Sequence, residues 1–137
     1  MDERLTAEAA MRGAEFRSAL RRFLRRSERV ARASGLTPQR YLLLLMIKGA
    51  PDGSEKSTVT ELAERLQLAQ STVTELVRRA EENGLIERER SSADGRVAYL
   101  RLSTEGERRL ARSFTTNETE RRTLAEAFSH LEGKVPG

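Results

Sequence analysis

The chain contains no cysteine and only one histidine. The first absence excludes disulfides, thiol-based redox sensing and thiolate-bound zinc. The second leaves His130 without companions for a histidine-rich metal site, so neither a metal nor a cofactor is expected. A partly exposed helix position is the simpler reading of that residue. There is also no Gly-rich phosphate loop, no nucleophile with a neighbouring base, and no carboxylate pair in a plausible cleft, so the chain does not read as an enzyme. No hydrophobic run is long enough to span a bilayer, and Asp2 and Glu3 open an N-terminus without the apolar core of a secretion signal. A soluble, cytoplasmic protein without a membrane partner is the expectation.

What the chain has is charge. Of 137 residues, 34% are charged and 37% hydrophobic, which suits one helix-rich domain. A net charge of +4 and a pI near 10.1 suggest an anionic partner. The distribution tempers that reading. Between Thr58 and Arg101, seven arginines (Arg65, Arg78, Arg79, Arg88, Arg90, Arg96, Arg101) stand against eight acids (Glu61, Glu64, Glu75, Glu81, Glu82, Glu87, Glu89, Asp94). The surplus sits near the start, where residues 1–34 hold nine arginines and five acids.

Periodicity supplies the elements. From Ala9 to Ser34 a four-three spacing that includes Phe16, Leu20, Phe23 and Val30 puts small and apolar residues on one stripe of a long helix. Gly35 suits a C-terminal cap, and Thr37-Pro38 restarts the chain as N-cap and first helical residue. Tyr41 to Ile47 then reads as a strongly apolar helix, buried on most sides. Ala50 to Ser57 has the composition of a loop. Thr58 and Glu61 fit a capping box at the start of a short helix with Leu62, Ala63 and Leu66 inward. After a break at Gln67 to Ala69, a second helix runs from about Gln70 to Asn83, with Val73, Leu76, Val77 and Ala80 on its buried face. Gly84 ends it. An extended segment begins at Leu85-Ile86, a turn covers Ser91 to Gly95, and Val97 to Leu102 returns with Ala98, Leu100 and Leu102 on one face. Helix, turn, helix and hairpin, in that order, make a mainly α fold with a small β-hairpin wing: a winged helix-turn-helix.

Four segments carry a resemblance to a known family: LTPQRYLLLLMI from Leu36, TVTELAERL from Thr58, LAQSTVTELVRRAEENGLIER from Leu68, and DGRVAYLRLSTEG from Asp94. In this order they resemble the MarR-type transcriptional regulators. The resemblance implies that the second helix of the motif enters the major groove of double-stranded DNA, that the wing reaches the flanking minor groove, and that the terminal helices form a homodimer. It divides the chain into an N-terminal dimerisation helix (1–35), a DNA-binding lobe (36–102) and a C-terminal dimerisation helix or helices (103–137). It places Gln70, Ser71, Thr72, Thr74 and Arg78 on the groove-facing side or at the N-terminal end of the recognition helix and makes Arg96 the wing-tip arginine. Asp94 would brace that arginine or the hairpin.

The chemistry of these residues suits the roles. A helix N-terminus offers free amides to phosphate, Gln and Arg can bond base edges in pairs, and a guanidinium on a narrow wing suits an A/T-rich minor groove. Other readings stand beside them. Ser71, Thr72 and Thr74 could be plain solvated positions, and Arg78 and Arg79 could pair with Glu75, Glu81 or Glu82 along the helix. Glu75 could accept from a cytosine amino group or turn toward Arg79. Ala69 stands where a capping Ser or Asp is frequent in the family, so the helix could begin through Gln70 or Ser71.

Ser103 is the expected N-cap of the last segment, in which Leu110, Phe114, Asn117, Arg121, Leu124, Phe128 and Leu131 keep one register. The unbroken register favours one continuous helix over two. Phe16, Leu20, Phe23, Phe114, Leu124 and Phe128 exceed what a small winged domain can bury, and read as a dimer interface. Packing of the two terminal helices within one chain would use the same residues, and the resemblance favours the homodimer. A two-fold dimer implies a pseudo-palindromic operator. Family members often bind small molecules, so an effector is a further possible partner; Arg40 and Tyr41 lie near the expected place. Repression is the family's commoner mode. The alternative is a winged helix that binds another protein without specific DNA binding.

Overall fold

A computed structural model describes residues 4–91, 93 and 95–132. Asp94, assigned above to wing support, lies outside the described residues. The elements are α1 (Ala7–Ala33), α2 (Pro38–Lys48), β1 (Lys56–Ser57), α3 (Val59–Leu66), α4 (Gln70–Glu82), β2 (Ile86–Arg90), β3 (Ala98–Leu102), α5 (Thr104–Thr116) and α6 (Glu118–Leu131). They fall into two compact units: one takes α1 up to Val30 with the chain from Phe114 onward, the other runs from Ala31 to Ser113.

In the unit from Ala31 to Ser113, local chemistry sets the helix ends. Gly35 takes a positive φ of 77°, and the Leu36 amide donates back to the Ala31 carbonyl at 2.9 Å, a six-to-one bond that closes α1. Thr37 caps α2 by accepting the Arg40 amide at 3.1 Å, with Pro38 following. The capping box of α3 is complete: the Glu61 amide donates to the Thr58 hydroxyl at 3.2 Å, and the Thr58 amide to the Glu61 carboxylate at 2.9 Å. Gln67, in the left-handed region, ends α3. Gly84, also with positive φ, ends α4, where the Leu85 amide returns to the Ala80 carbonyl at 2.9 Å.

Leu43, Leu44, Ile47, Leu62, Val73, Val77, Leu85 and Leu100 form the fully buried centre. Leu42 departs from the expected burial of α2: it is 45% exposed.

The sheet corrects the sequence reading. The β2–β3 hairpin is present as expected, but the sheet has three antiparallel strands in the order β1-β3-β2, so a short strand joins the hairpin from the preceding segment. Lys56 pairs with Arg101 and Ser57 with Leu100, inside a segment expected to be only loop. Two polar residues cannot display the alternation that marks a strand; β1 exists because β3 offers it a second edge. Arg65 secures this edge, donating to the Ser57 hydroxyl at 2.5 Å and to the Met46 carbonyl at 2.8 Å.

In the other unit, α1 packs against α6 through Phe16 and Phe128, whose ring centroids are 5.9 Å apart. Arg26 pairs with Glu120 at 3.1 Å, and His130 meets Glu15 at 3.0 Å. The expectation of one continuous C-terminal helix does not hold: α5 and α6 are separate, with Asn117 between them at φ −87° and ψ 5°. Thr115, Thr116 and Asn117 are all poor helix formers, and Glu118 and Glu120 suit the positive start of a new helix. The four-three register survives a one-residue break, which is why spacing did not reveal it.

Candidate nucleic-acid interface

α3 and α4 form the helix-turn-helix. Because Val73, Val77 and Ala80 are fully buried, the helical period turns Ser71, Thr72, Thr74 and Arg78 outward; Gln70 shares the stripe of Val73 and Val77 and is exposed as the first residue of α4, so all five are exposed. Ala69 is the N-cap and contributes no side-chain bond, so α4 begins at Gln70. The Gln70 side-chain amide donates to the Thr60 hydroxyl at 2.9 Å, tying the start of α4 to α3.

Ser71 and Thr72 line a surface cavity of about 400 Å³ together with Gln39, Glu75, Leu76 and Arg79. Gln39, near the start of α2, is a neighbour that the sequence reading missed; nothing in the spacing of α4 indicates it.

The middle of α4 is an ion-pair cluster. Arg78 donates to Glu75 through Nε at 3.0 Å and Nη2 at 2.6 Å, and also to Glu82. Arg79 Nε reaches Glu75 at 2.9 Å. Glu75 is therefore turned toward both arginines. These hydrogen bonds, those of Arg78 first, pull its carboxyl from 4.5 down to about 2. On α5, Arg108 and then Arg109 likewise pull Glu105 down to about 2.

A carboxyl whose folded pKa is depressed adds stability above its unfolded value, and that stability fades as pH falls from about 4.5 through about 2. Glu75→Gln should therefore lower the urea midpoint above about pH 5, with the gap to wild type closing as pH falls through that window. The gap will be small, since the pairs are exposed. A gap unchanged down to pH 2 contradicts this account.

The wing is anchored to α4 and closed on itself. Arg88 of β2 bonds Glu81 of α4 through Nε at 3.0 Å and Nη2 at 2.9 Å. The Ser91 amide donates to the Val97 carbonyl at 3.0 Å, and Arg90 Nη1 to the Gly95 carbonyl at 2.7 Å. Arg90 is thus a brace of the turn that sequence reasoning overlooked. Its only sequence signal is its place at the foot of the turn. Arg96 is exposed beyond it.

Of the other expected residues, Phe16, Leu20, Phe23 and Leu124 are half-buried, whereas Phe114 and Phe128 are 41% and 49% exposed. The Arg121 guanidinium lies 3.6 Å from the Phe114 ring centroid. Tyr41 is a core residue. Among the described residues there is no group of three or more metal-ligating side chains, and no helix long and apolar enough to cross a membrane.

Comparison with known proteins agrees with this geometry. The profile of the MarR family matches residues 34–97. An uncharacterised HTH-type transcriptional regulator of Bacillus subtilis, YsmB, is 37% identical over 75 residues, which is 55% of this chain and 51% of that protein. The chain thus spans about half the length of this curated relative in the match. The solved structure of a MarR family protein from Bacillus stearothermophilus is 28% identical, with a TM-score of 0.73 over 96% of this chain and 87% of that one. Sco3205, a MarR family transcriptional regulator from Streptomyces coelicolor solved in complex with DNA, is 25% identical, with a TM-score of 0.64 over 90% and 77%. Over residues 34–97, the winged helix, the chain matches the MarR family, and its fold is similar to that of solved MarR family proteins.

Proposed function

We propose that this protein is a transcriptional regulator that binds double-stranded DNA sequence-specifically as a homodimer. The observation that carries the reading is the exposed polar surface of α4: Ser71, Thr72, Thr74 and Arg78 point outward and Gln70 stands at its N-terminal end, while Val73, Val77 and Ala80 anchor the helix from behind. In this reading α4 enters the major groove, where Gln70 and Arg78 suit base edges and the uncapped start of α4 suits phosphate. Arg96 enters the adjacent minor groove. Arg78 exchanges its carboxylate partners for DNA. That Sco3205, similar in fold, is solved in complex with DNA supports DNA binding by this chain.

Residues 1–35 and 103–137 serve dimerisation in this reading, and 36–102 bind DNA. Phe16, Leu20, Phe23, Phe114, Leu124 and Phe128 supply the interface, with the exposure of Phe114 and Phe128 as support. Repression, relieved by a small molecule, is the mode of regulation proposed.

A protein-binding winged helix is the second reading. It calls for an apolar docking patch, but among the described residues none of the large exposed hydrophobic side chains lies on α4. Footprinting on the DNA upstream of the protein's own gene tests the choice. Two protected half-sites about one turn apart, ~34 to 36 Å, are expected. Absence of any discrete protected site would favour the protein-binding reading.

A further inference from the structure

Three acids lie on α4, and their surroundings differ. Glu81 is held by Arg88 of the wing, and Glu82 is the last residue of the helix. Glu75 sits in the middle of the polar surface, one turn beyond Ser71 and Thr72, and lines the same cavity with them. Its Oε2 accepts from Arg78 Nε at 3.0 Å, while its Oε1 accepts from Arg78 Nη2 at 2.6 Å and from Arg79 Nε at 2.9 Å. One carboxylate thus holds two arginines.

The paired contact to Arg78 is a fork of the kind with which arginine bonds two phosphate oxygens or the O6 and N7 acceptors of guanine. Glu75 therefore stands where DNA would stand. Together with Glu82, which accepts from Arg78 Nη1, it offsets the charge of Arg78 and Arg79 and leaves the middle of α4 without a net attraction for phosphate. Its carboxyl, pulled down to about 2, is ionised near neutral pH and can only accept. Arg78 can leave for a base at little cost, because exposed pairs of this kind are weak. Its departure turns Oε2 of Glu75 to base edges that are not equivalent. Guanine and thymine present acceptors, adenine presents an acceptor beside its amino group, and cytosine presents only its N4 amino donor. Cytosine is the base that a carboxylate faces without repulsion. The head groups of Glu75 and Arg78 touch in the free protein, so the bases they meet lie in the same base pair or in neighbouring ones, about 3.4 Å apart.

We propose that Glu75 determines specificity on the DNA-reading surface: it withholds Arg78 from DNA in general and yields it where a cytosine amino group bonds Glu75 beside a guanine that receives Arg78. Arg79, bonded to Oε1, holds the carboxylate toward the cytosine. The proposal rests on the reading in which α4 enters the major groove.

The test uses the full chain, the site it protects upstream of its own gene, every single base-pair change in that site, and a duplex of unrelated sequence, with affinities read by fluorescence anisotropy at one salt concentration. Wild type should show, in each half-site, a C·G pair whose replacement weakens binding about tenfold or more. Glu75→Gln should bind the unrelated duplex several-fold more tightly, and should prefer adenine in place of that one cytosine, because glutamine bonds the N6 and N7 of adenine in pairs. Glu82→Gln should leave the preferred base at every position unchanged. Circular dichroism establishes that both variants are folded. A change of preferred base is a readout that a purely structural Glu75 would not move. A Glu75→Gln variant with the wild-type preference at every position overturns the proposal, whether its affinity rises, falls or stays the same. So does the same shift of preference in Glu82→Gln, which would make it an effect of charge alone, and so does a wild-type site without such a C·G pair. Wild type that protects no discrete site overturns the DNA reading and the proposal together, and that outcome is seen before any variant is made.

Discussion

Gly106→Ala should destabilise the winged-helix unit by about 3 kcal/mol or more, at the upper end of overpacking penalties. The sign is the informative part. Glycine inside a helix ordinarily costs ~0.5 to 1 kcal/mol relative to alanine, so the substitution should help if propensity alone decided. Here Gly106 is buried in the first turn of α5, and a Cβ would lie 2.1 Å from the Leu85 carbonyl oxygen and 3.1 Å from its carbon. That carbonyl accepts the Ser103 amide at 2.9 Å, and the Ser103 hydroxyl donates to the Gly84 carbonyl at 2.6 Å. The Gly106 amide in turn donates to the Ser103 hydroxyl at 3.1 Å. Room for a methyl group therefore requires breaking the junction that joins the end of α4 to the start of α5. Thermal melting should show a fall on the order of 10 °C or more. Gly13→Ala is the control: Gly13 lies within α1, where an added Cβ would meet nothing within 4 Å, and the substitution should be neutral or slightly stabilising. A more stable Gly106→Ala variant contradicts the packing described.

Leu100→Ala should cost about 2 to 5 kcal/mol, the range for emptying a buried leucine site. Leu100 is fully buried on β3, the central strand, opposite Ser57 of β1 and Arg88 of β2. Its removal leaves a cavity beneath the foot of the wing and loosens both strand pairings. Urea unfolding measures the first effect. DNA affinity should fall beyond the fraction unfolded, because β3 also positions the turn that carries Arg96. A loss below about 1 kcal/mol would place Leu100 outside the cooperative core.

The helices of the winged unit were legible because each end carries its own chemistry. Thr37-Pro38, Thr58 with Glu61, and Gly84 act within a few residues, and the structure has them in those roles. The exposed set on α4 followed largely from its buried set, since Val73, Val77 and Ala80 leave Ser71, Thr72, Thr74 and Arg78 no other side, whereas Gln70 owes its exposure to its place at the start of the helix. β1 was not legible, because Lys56 and Ser57 become a strand only through partners more than forty residues later. The break at Asn117 escaped for the opposite reason: local propensity opposed the helix weakly while the register continued. Arg78 had three acidic candidates in reach, and the choice of Glu75 and Glu82 depends on rotamers that spacing does not specify. Arg90 finds the Gly95 carbonyl only once the hairpin has closed.

The central claim is that α4 and the wing read DNA. A salt-dependent binding titration on the protein's own upstream region, comparing wild type with Arg96→Ala, tests it most directly. The account predicts a discrete site, affinity that falls linearly in log K against log salt, and about tenfold or greater loss in the variant. Weak binding that ignores sequence and is indifferent to Arg96 would contradict it.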